Sequence, residues 1–205
     1  MKSAELEKRS IPSSLQEAIV IKEERGSDVK REFGFLILRL TMGGLLAGHG
    51  AQKLFGWFDG PGLKGTAGWL ESMGFKPGMP WATAAAASEF GGGTLTALGL
   101  FHPLGPLATM GAMAMATFKA HWDKPIWASQ GGAELPVLNL SIALTLMLTG
   151  PGRFSLDRLF GIRLPRTLVA AVAIAEAALV VIGIMPHPQP AATTTVTEDQ
   201  RARAR

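Results

Sequence analysis

Ionisable side chains inside otherwise apolar stretches are the residues of this sequence best suited to chemistry. They are Arg39, His49, Lys53, Glu89, Lys119, His121, Glu134 and Glu176. A charged group is costly to keep within a membrane, so such a residue usually has a partner or a function there. Histidine, lysine and carboxyl side chains can also donate or relay protons at a bound ligand. We therefore draw the candidate catalytic and ligand-binding residues from this set.

The apolar stretches themselves predict membrane-spanning helices. They cover Phe33–Phe55, Ala82–Phe101, Leu104–His121, Glu134–Gly150 and Arg166–Met185. Each approaches the ~20 residues that cross the hydrocarbon layer of a bilayer. Segments such as 110–116 are apolar on every side, whereas the helices of a soluble bundle, the alternative, should show a polar stripe. We expect an all-α fold, a polytopic membrane helical bundle in contact with the lipid bilayer.

Composition excludes several kinds of chemistry. The chain has no cysteine, so it can form no disulfide, thiolate metal site or cysteine nucleophile. Its histidines lack metal-ligand spacing, and it contains no HExxH, Walker, GxSxG or GxGxxG motif, so we predict no metal site. The net charge is +4, but the basic residues flank the apolar runs. They therefore indicate membrane topology and not nucleic-acid binding.

Lysine and arginine predict the orientation in the membrane. Residues 1–32 carry seven of them, and the segment after the fourth span carries Arg153, Arg158, Arg163 and Arg166. Five spans place both segments on one side, which the positive-inside rule assigns to the cytoplasm. We expect a multi-pass protein of the cell membrane with a cytoplasmic N-terminus. Residues 1–32 would be a polar tail that breaks at Gly26-Ser27-Asp28, and residues 187–205 a disordered tail.

Alternating span direction brings most of the ionisable residues to one side of the bilayer. His49, Lys53, Glu89, Lys119, His121 and Glu134 fall there at similar depths. His49 and Lys53 lie four residues apart and share a helix face, so we expect Glu89 to pair with a base of the first span. Glu89 and His49 are the candidate catalytic residues. Glu176 stands alone between alanines and predicts an oligomer contact or a protonated carboxyl.

All five tryptophans, Trp57, Trp69, Trp81, Trp122 and Trp127, fall on that same side. They fit an interfacial aromatic belt or the wall of a pocket, and Trp57 and Trp122 are the candidate ligand contacts.

Other residues between and within the spans predict local structure. Residues 63–75 predict an amphipathic helix that lies in the membrane interface. Gly44 and Gly48, with Gly91–Gly93, predict close packing of the first two spans.

The most specific signal is a set of short motifs. They are His49-Gly-Ala-Gln-Lys53-Leu-Phe-Gly56, Gly65-Thr-Ala-Gly-Trp69-Leu and Glu89-Phe-Gly-Gly-Gly93, followed by His121-Trp122, Gly131-Gly-Ala-Glu134 and the run from Leu148 to Asp157. This combination resembles the DoxX family of bacterial membrane proteins over residues 33–158. The resemblance implies a four-helix membrane bundle, to which residues 159–186 add a loop and a fifth transmembrane helix. The turn Phe101-His102-Pro103-Leu104 departs from the family, which more often has an arginine there.

The resemblance leaves three functions open. Some DoxX proteins are subunits of a thiosulfate:quinone oxidoreductase, so the chain could be a redox subunit, with quinone held by His49 and Lys53 and protons relayed by Glu89. Other members associate with superoxide dismutase and a sulfurtransferase, which implies a scaffold that anchors soluble redox or sulfur-metabolism enzymes. The third alternative is a small-solute or proton carrier. Whether the chain is an enzyme, or a homo-oligomer through its Gly- or Ala-rich faces, stays open.

Overall fold

The computed structural model describes residues 12–185, which fold into helices. Helices α1 to α7 cover Ser13–Phe55, Gly62–Ser72, Gly78–Leu98, Leu104–Met115, Glu134–Thr149, Leu156–Phe160 and Arg166–Ile184. A π-helical segment, Ala116–Ala120, continues α4, and a 3-10 turn, Ala128–Gln130, precedes α5. No strand occurs in the described part of the chain. The prediction of an all-α fold is confirmed.

Helix α1 is longer than expected. It runs without interruption through Gly26-Ser27-Asp28, so the predicted break is wrong. One glycine costs a helix only about 1 kcal/mol, which the helix-forming Glu, Lys and Arg residues around it can offset. The helical residues of the predicted tail therefore continue directly into the first span. Residues 1–11 and 186–205, which hold the rest of the N-terminal tail and the predicted C-terminal tail, lie outside the described residues.

Helix α3 is central, because it packs against α1, α2 and α4. Its contact with α1 depends on glycine: a Cβ at Gly43 would lie 2.6 Å from the Gly93 carbonyl oxygen, and one at Gly50 would collide with Phe90. The close approach of the first two spans is thus confirmed, but the glycines of α1 differ from those predicted. Gly44 and Gly48 have nothing within 4 Å, because a shift of one position turns a side chain by about 100° around the helix.

Helix α2 forms where an amphipathic helix was predicted, but its apolar face contacts protein. Ala67 and Leu70 are buried and pack in one cluster with Phe75 and Ala82, at the start of α3. The position of this helix in the membrane interface stays a prediction. The loop over 73–77 folds α2 back onto α3, and that contact covers the face.

The outer surface of the bundle is strongly apolar. Leu45 of α1, Leu148 of α5 and Ile174 of α7 are 65%, 75% and 71% exposed. Contiguous exposed apolar surface of this kind marks an interaction site or a membrane contact. Two helical segments of the described part, Gly26–Phe55 and Arg166–Ile184, are long and apolar enough to cross a bilayer, and Glu134–Thr149 is a shorter apolar helix. The other predicted spans stay predictions.

Candidate functional site

A cavity of about 380 Å³ lies between α2, α3, α4 and α7, and the end of α1 reaches its rim. Alanine, leucine, methionine and valine side chains form most of its wall, together with the aromatic rings of Trp69, Phe75 and Trp81. Polar groups enter this apolar space at five side chains: Lys53, Ser88, Glu89, Lys119 and Glu176. An apolar pocket with a few convergent polar groups is the usual form of a small-molecule site.

The strongest polar feature of the cavity is an ion pair between Lys53 and Glu89. Lys53 Nζ donates to Glu89 Oε1, and Glu89 is 4% exposed. The pair can form because Gly50, one turn before Lys53, packs directly on the backbone of Phe90. The predicted pairing of Glu89 with a base of the first span is therefore present, with Lys53 as that base.

The second oxygen of the Glu89 carboxyl has no partner. Oε2 is buried and accepts no hydrogen bond from any residue in the described part of the chain. A carboxylate that is paired with a lysine can only accept hydrogen bonds. An unsatisfied buried acceptor is costly, about 1–3 kcal/mol. Glu89 Oε2 is therefore free to accept a hydrogen bond from a donor on a bound ligand.

Lys119 approaches the cavity from the π-helical segment. Its ammonium group lies 5.5 Å from the centre of the Phe75 ring, within the range of a cation–π contact, and donates to the Met185 carbonyl at 3.4 Å. Short π-helical segments in α-helices are frequent at functional sites because they redirect a side chain. Here the segment also links the end of α4 to the end of α7.

Glu176 reaches the same cavity from α7. Its Oε1 accepts a hydrogen bond of 3.2 Å from the backbone N–H of Gly111 on α4. Gly111 is required for this approach, because a Cβ there would lie 2.8 Å from the carboxyl carbon of Glu176. The sequence predicted an oligomer contact or a protonated carboxyl for Glu176; in the structure it contacts α4 and lines the cavity.

The remaining predicted site residues do not line this cavity. His49 is exposed on α1. His121 Nδ1 donates to the Gly131 carbonyl at 2.6 Å, and Glu134 accepts from the backbone N–H of Ala128 at 2.8 Å. Both contacts hold the loop between α4 and α5. Among the described residues, no group of three or more histidine, aspartate or glutamate side chains could hold a metal ion.

The two tryptophans on the cavity wall are not the two that the sequence predicted as ligand contacts. Trp57 packs on Phe55 and Trp122 on Phe118, with ring centres 5.0 and 5.1 Å apart, and both stay largely exposed. Trp69 and Trp81 take the places on the wall. Trp69 could have been found from its motif, since the helix that carries it was predicted. Trp81 gave no signal beyond its position before the second span.

The opposite end of the bundle is held by two buried charged residues. Arg39 donates to the carbonyl oxygens of Pro151 and Phe154, the latter at 2.6 Å. Asp157 accepts from the backbone N–H groups of Phe101 and His102 at 2.8 and 2.7 Å. Sequence reasoning found no partner for Arg39 because its partners are backbone carbonyls.

The same end carries a titratable group and a polar groove. Burial of the His102 ring lowers its pKa below the ordinary value. Beside it lies a groove of about 940 Å³. Its lining includes four arginines, Arg31, Arg153, Arg158 and Arg163.

Over residues 12–185, these features define an all-helical structure with an apolar outer surface and a mostly apolar cavity that is partly open to the outside. Residues 34–122 match the model of the DoxX family, a family of membrane proteins. The match covers α2, α3, α4 and most of the apolar part of α1, and it ends before α5. No curated protein matches the chain, and neither does any solved structure.

Proposed function

We propose that this protein is a multi-pass protein of the cell membrane that binds a small lipophilic ligand of the quinone type and acts as a subunit in redox or sulfur metabolism. One observation carries the proposal: the Lys53–Glu89 ion pair stands in the wall of an apolar cavity. Membrane proteins rarely keep such a pair without a functional reason.

The proposed topology has five spans and a cytoplasmic N-terminus. Helix α3 contains 21 residues, about 31 Å at 1.5 Å per residue, which is enough to cross the hydrocarbon layer. The four groove arginines, Arg31, Arg153, Arg158 and Arg163, lie at one end of the bundle and would mark the cytoplasmic side. The Lys53–Glu89 pair would then lie toward the outer side.

The cavity has the properties that a quinone ring requires. Its volume falls within the ~300–1,000 Å³ of typical ligand sites, and Trp69 and Trp81 offer flat apolar surfaces. Lys53 Nζ can donate to a ring oxygen, and Glu89 can hold or pass a proton beside it. A bound quinone would supply the two-electron redox chemistry. The chain's own residues would hold the ring, orient it and exclude water.

The test is equilibrium binding of a benzoquinone with a ten-carbon tail to the full chain in lipid nanodiscs. Lys53→Met should weaken binding about ten-fold, the effect of one lost charge-assisted hydrogen bond, and Glu89→Gln should weaken it less, because Glu89 only positions the Lys53 ammonium group. Lys64→Met is the matched control, because Lys64 is an exposed lysine on α2 that does not line the cavity. Equal binding by all four proteins, or no binding, would contradict the proposal.

A scaffold is the second candidate, and the polar groove favours it. The groove exposes Arg153, Arg158 and Arg163 on the side proposed to face the cytoplasm. An acidic surface on a soluble redox or sulfur-metabolism enzyme could dock there. Replacing these three arginines by glutamine should release any such enzyme that copurifies from gently solubilised membranes. Retention of the same enzyme in the same amount would exclude docking at the groove.

A further inference from the structure

Helix α7 lies outside the DoxX match, yet it completes the cavity. It packs on α4 through two glycines: Gly111 receives the Glu176 carboxyl, and a Cβ at Gly183 would lie 2.8 Å from Met115 Sδ and 3.2 Å from the Trp81 ring. Most of its other side chains are exposed. The helix therefore approaches the bundle along one narrow face, and Glu176 is the carboxyl on that face.

Glu89 and Glu176 act at the same depth of the cavity. Helices α3 and α4 form an antiparallel hairpin in which a Cβ at Gly92 would lie 3.0 Å from the Ala108 methyl group. Glu89 lies three residues before Gly92, and Gly111 lies three residues after Ala108. Because the helices are antiparallel, Glu89 and Gly111 both lie about 4.5 Å along the helix axis from the Gly92–Ala108 contact, in the same direction. Since Gly111 binds the Glu176 carboxyl, the two carboxyls face the cavity at one level.

These two carboxyls restrict the chemistry of the occupant. Glu89 Oε1 is taken by Lys53, and its buried Oε2 still needs a hydrogen-bond donor. Glu176 uses Oε1 for the Gly111 N–H. The space near both carboxyls is walled by apolar side chains. A lipid tail would fill the space but would leave Glu89 Oε2 unsatisfied.

We propose that the cavity binds a lipophilic ring with hydroxyl donors at two positions, held between Glu89 and Glu176, so that α7 makes the site selective for the hydroxyl-bearing form of its ligand. The inference rests on the proposed function, because it specifies the ligand of the same cavity. For a carrier of the quinone type, that form is the hydroquinone, whose two O–H groups donate, whereas the quinone oxygens only accept.

The experiment compares three ligands of the same carbon skeleton on the full chain in lipid nanodiscs, under argon. They are an alkyl hydroquinone with a ten-carbon tail, its dimethyl ether and the corresponding quinone, with affinities referred to ligand concentration in the bilayer. The hydroquinone should bind about ten-fold more tightly than the ether, the effect of hydrogen bonds to carboxyl oxygens. Glu176→Leu should remove most of this preference. Glu176→Gln, which keeps an acceptor oxygen, should retain most of it.

The control on the same helix is Ile174→Leu, which changes an exposed residue outside the cavity. Equal affinity for hydroquinone and ether in the wild-type protein would overturn the inference, and this comparison requires no variant to fold. A hydroquinone preference that survives in a folded Glu176→Leu protein would also overturn it. Quinone binding that depends on Lys53 but exceeds or equals hydroquinone binding would refute the inference and leave the proposed function standing. If none of the three ligands binds, both fail.

Discussion

Lys53 and Glu89 form an ion pair whose two members differ in their access to water. The Lys53 side chain is 26% exposed and the Glu89 side chain 5%. A long lysine side chain can move its ammonium group toward the interface when it loses its partner, whereas the glutamate carboxyl has no such route. The two side chains therefore differ in the cost of losing their partner, although each contributes one charge.

This asymmetry predicts unequal losses of stability. Lys53→Met leaves an unpaired buried carboxyl and should destabilise the protein by about 3 kcal/mol, the lower range for a broken buried pair. Glu89→Gln leaves a lysine that can turn outward and should cost about 1 kcal/mol. The Lys53→Met/Glu89→Gln double variant should recover most of the loss. Unfolding of the purified protein in detergent measures all three, and additive losses would show that the two charges do not interact.

Two glycines of α3, Gly91 and Gly93, should respond differently to alanine. A Cβ at Gly93 would lie 2.6 Å from the Gly43 carbonyl oxygen, so Gly93→Ala should force α1 and α3 apart and cost about 1–3 kcal/mol. Gly91 has nothing within 4 Å, so Gly91→Ala should be neutral or stabilise by up to about 1 kcal/mol. Thermal unfolding of the two variants side by side tests this. Equal effects would mean that α1 does not pack on Gly93.

Arg39 should act as a structural residue and not as a ligand-binding one. Arg39→Leu removes the donors from the carbonyls of Pro151 and Phe154 and should destabilise the protein by about 3 kcal/mol. Arg158→Leu, at an exposed arginine of the same region, should change stability by less than about 0.5 kcal/mol. Ligand affinity at the distant cavity should be unaffected in folded Arg39→Lys. A specific loss of affinity there would assign Arg39 another role.

His102 should make stability depend on pH. Burial lowers its pKa in the folded protein below the ordinary value of 6.5, so the unfolded chain binds the proton more readily. Its contribution to stability is therefore fully present above about pH 6.5 and is lost as the pH falls toward the lowered pKa. The unfolding temperature of the wild type, relative to that of His102→Gln, should decrease as the pH is lowered from about 7.5 to about 5.5. Parallel curves for the two proteins over this range would contradict the assignment.

Gly111 should control the position of Glu176. A methyl group at residue 111 would occupy the space of the carboxyl, so Gly111→Ala should displace Glu176 and loosen the contact between α4 and α7. We expect faster proteolysis of α7. We also expect faster labelling of a cysteine introduced at the exposed Ile174. Gly68→Ala, at a helical glycine with nothing within 4 Å, is the matched control. Identical labelling of both variants would show that this hydrogen bond does not hold α7.

The sequence alone determined the helical class, the resemblance to the DoxX family and the pairing of Glu89 with a base of the first span. Each follows from local information: uninterrupted apolar runs, short motifs, and hydrophobic segments long enough to form helices. The predicted ends of the fourth apolar segment, Glu134–Gly150, also agree closely with those of α5, which covers Glu134–Thr149. The failures at Gly26 and at Gly44 have different causes: neighbouring helix formers offset the cost of Gly26, whereas the packing of Gly44 depends on what lies opposite it.

Only the tertiary structure decided which polar residues share a space. The sequence predicted His49, Lys53, Glu89, His121 and Glu134 at one depth in the membrane, but depth alone does not decide which side chains enter the same cavity. Lys53 pairs with Glu89, whereas His49, one turn earlier on the same helix face, is exposed. Glu176 joins the cavity because α7 packs on α4 at Gly111, a contact 65 residues away in sequence that no local pattern encodes.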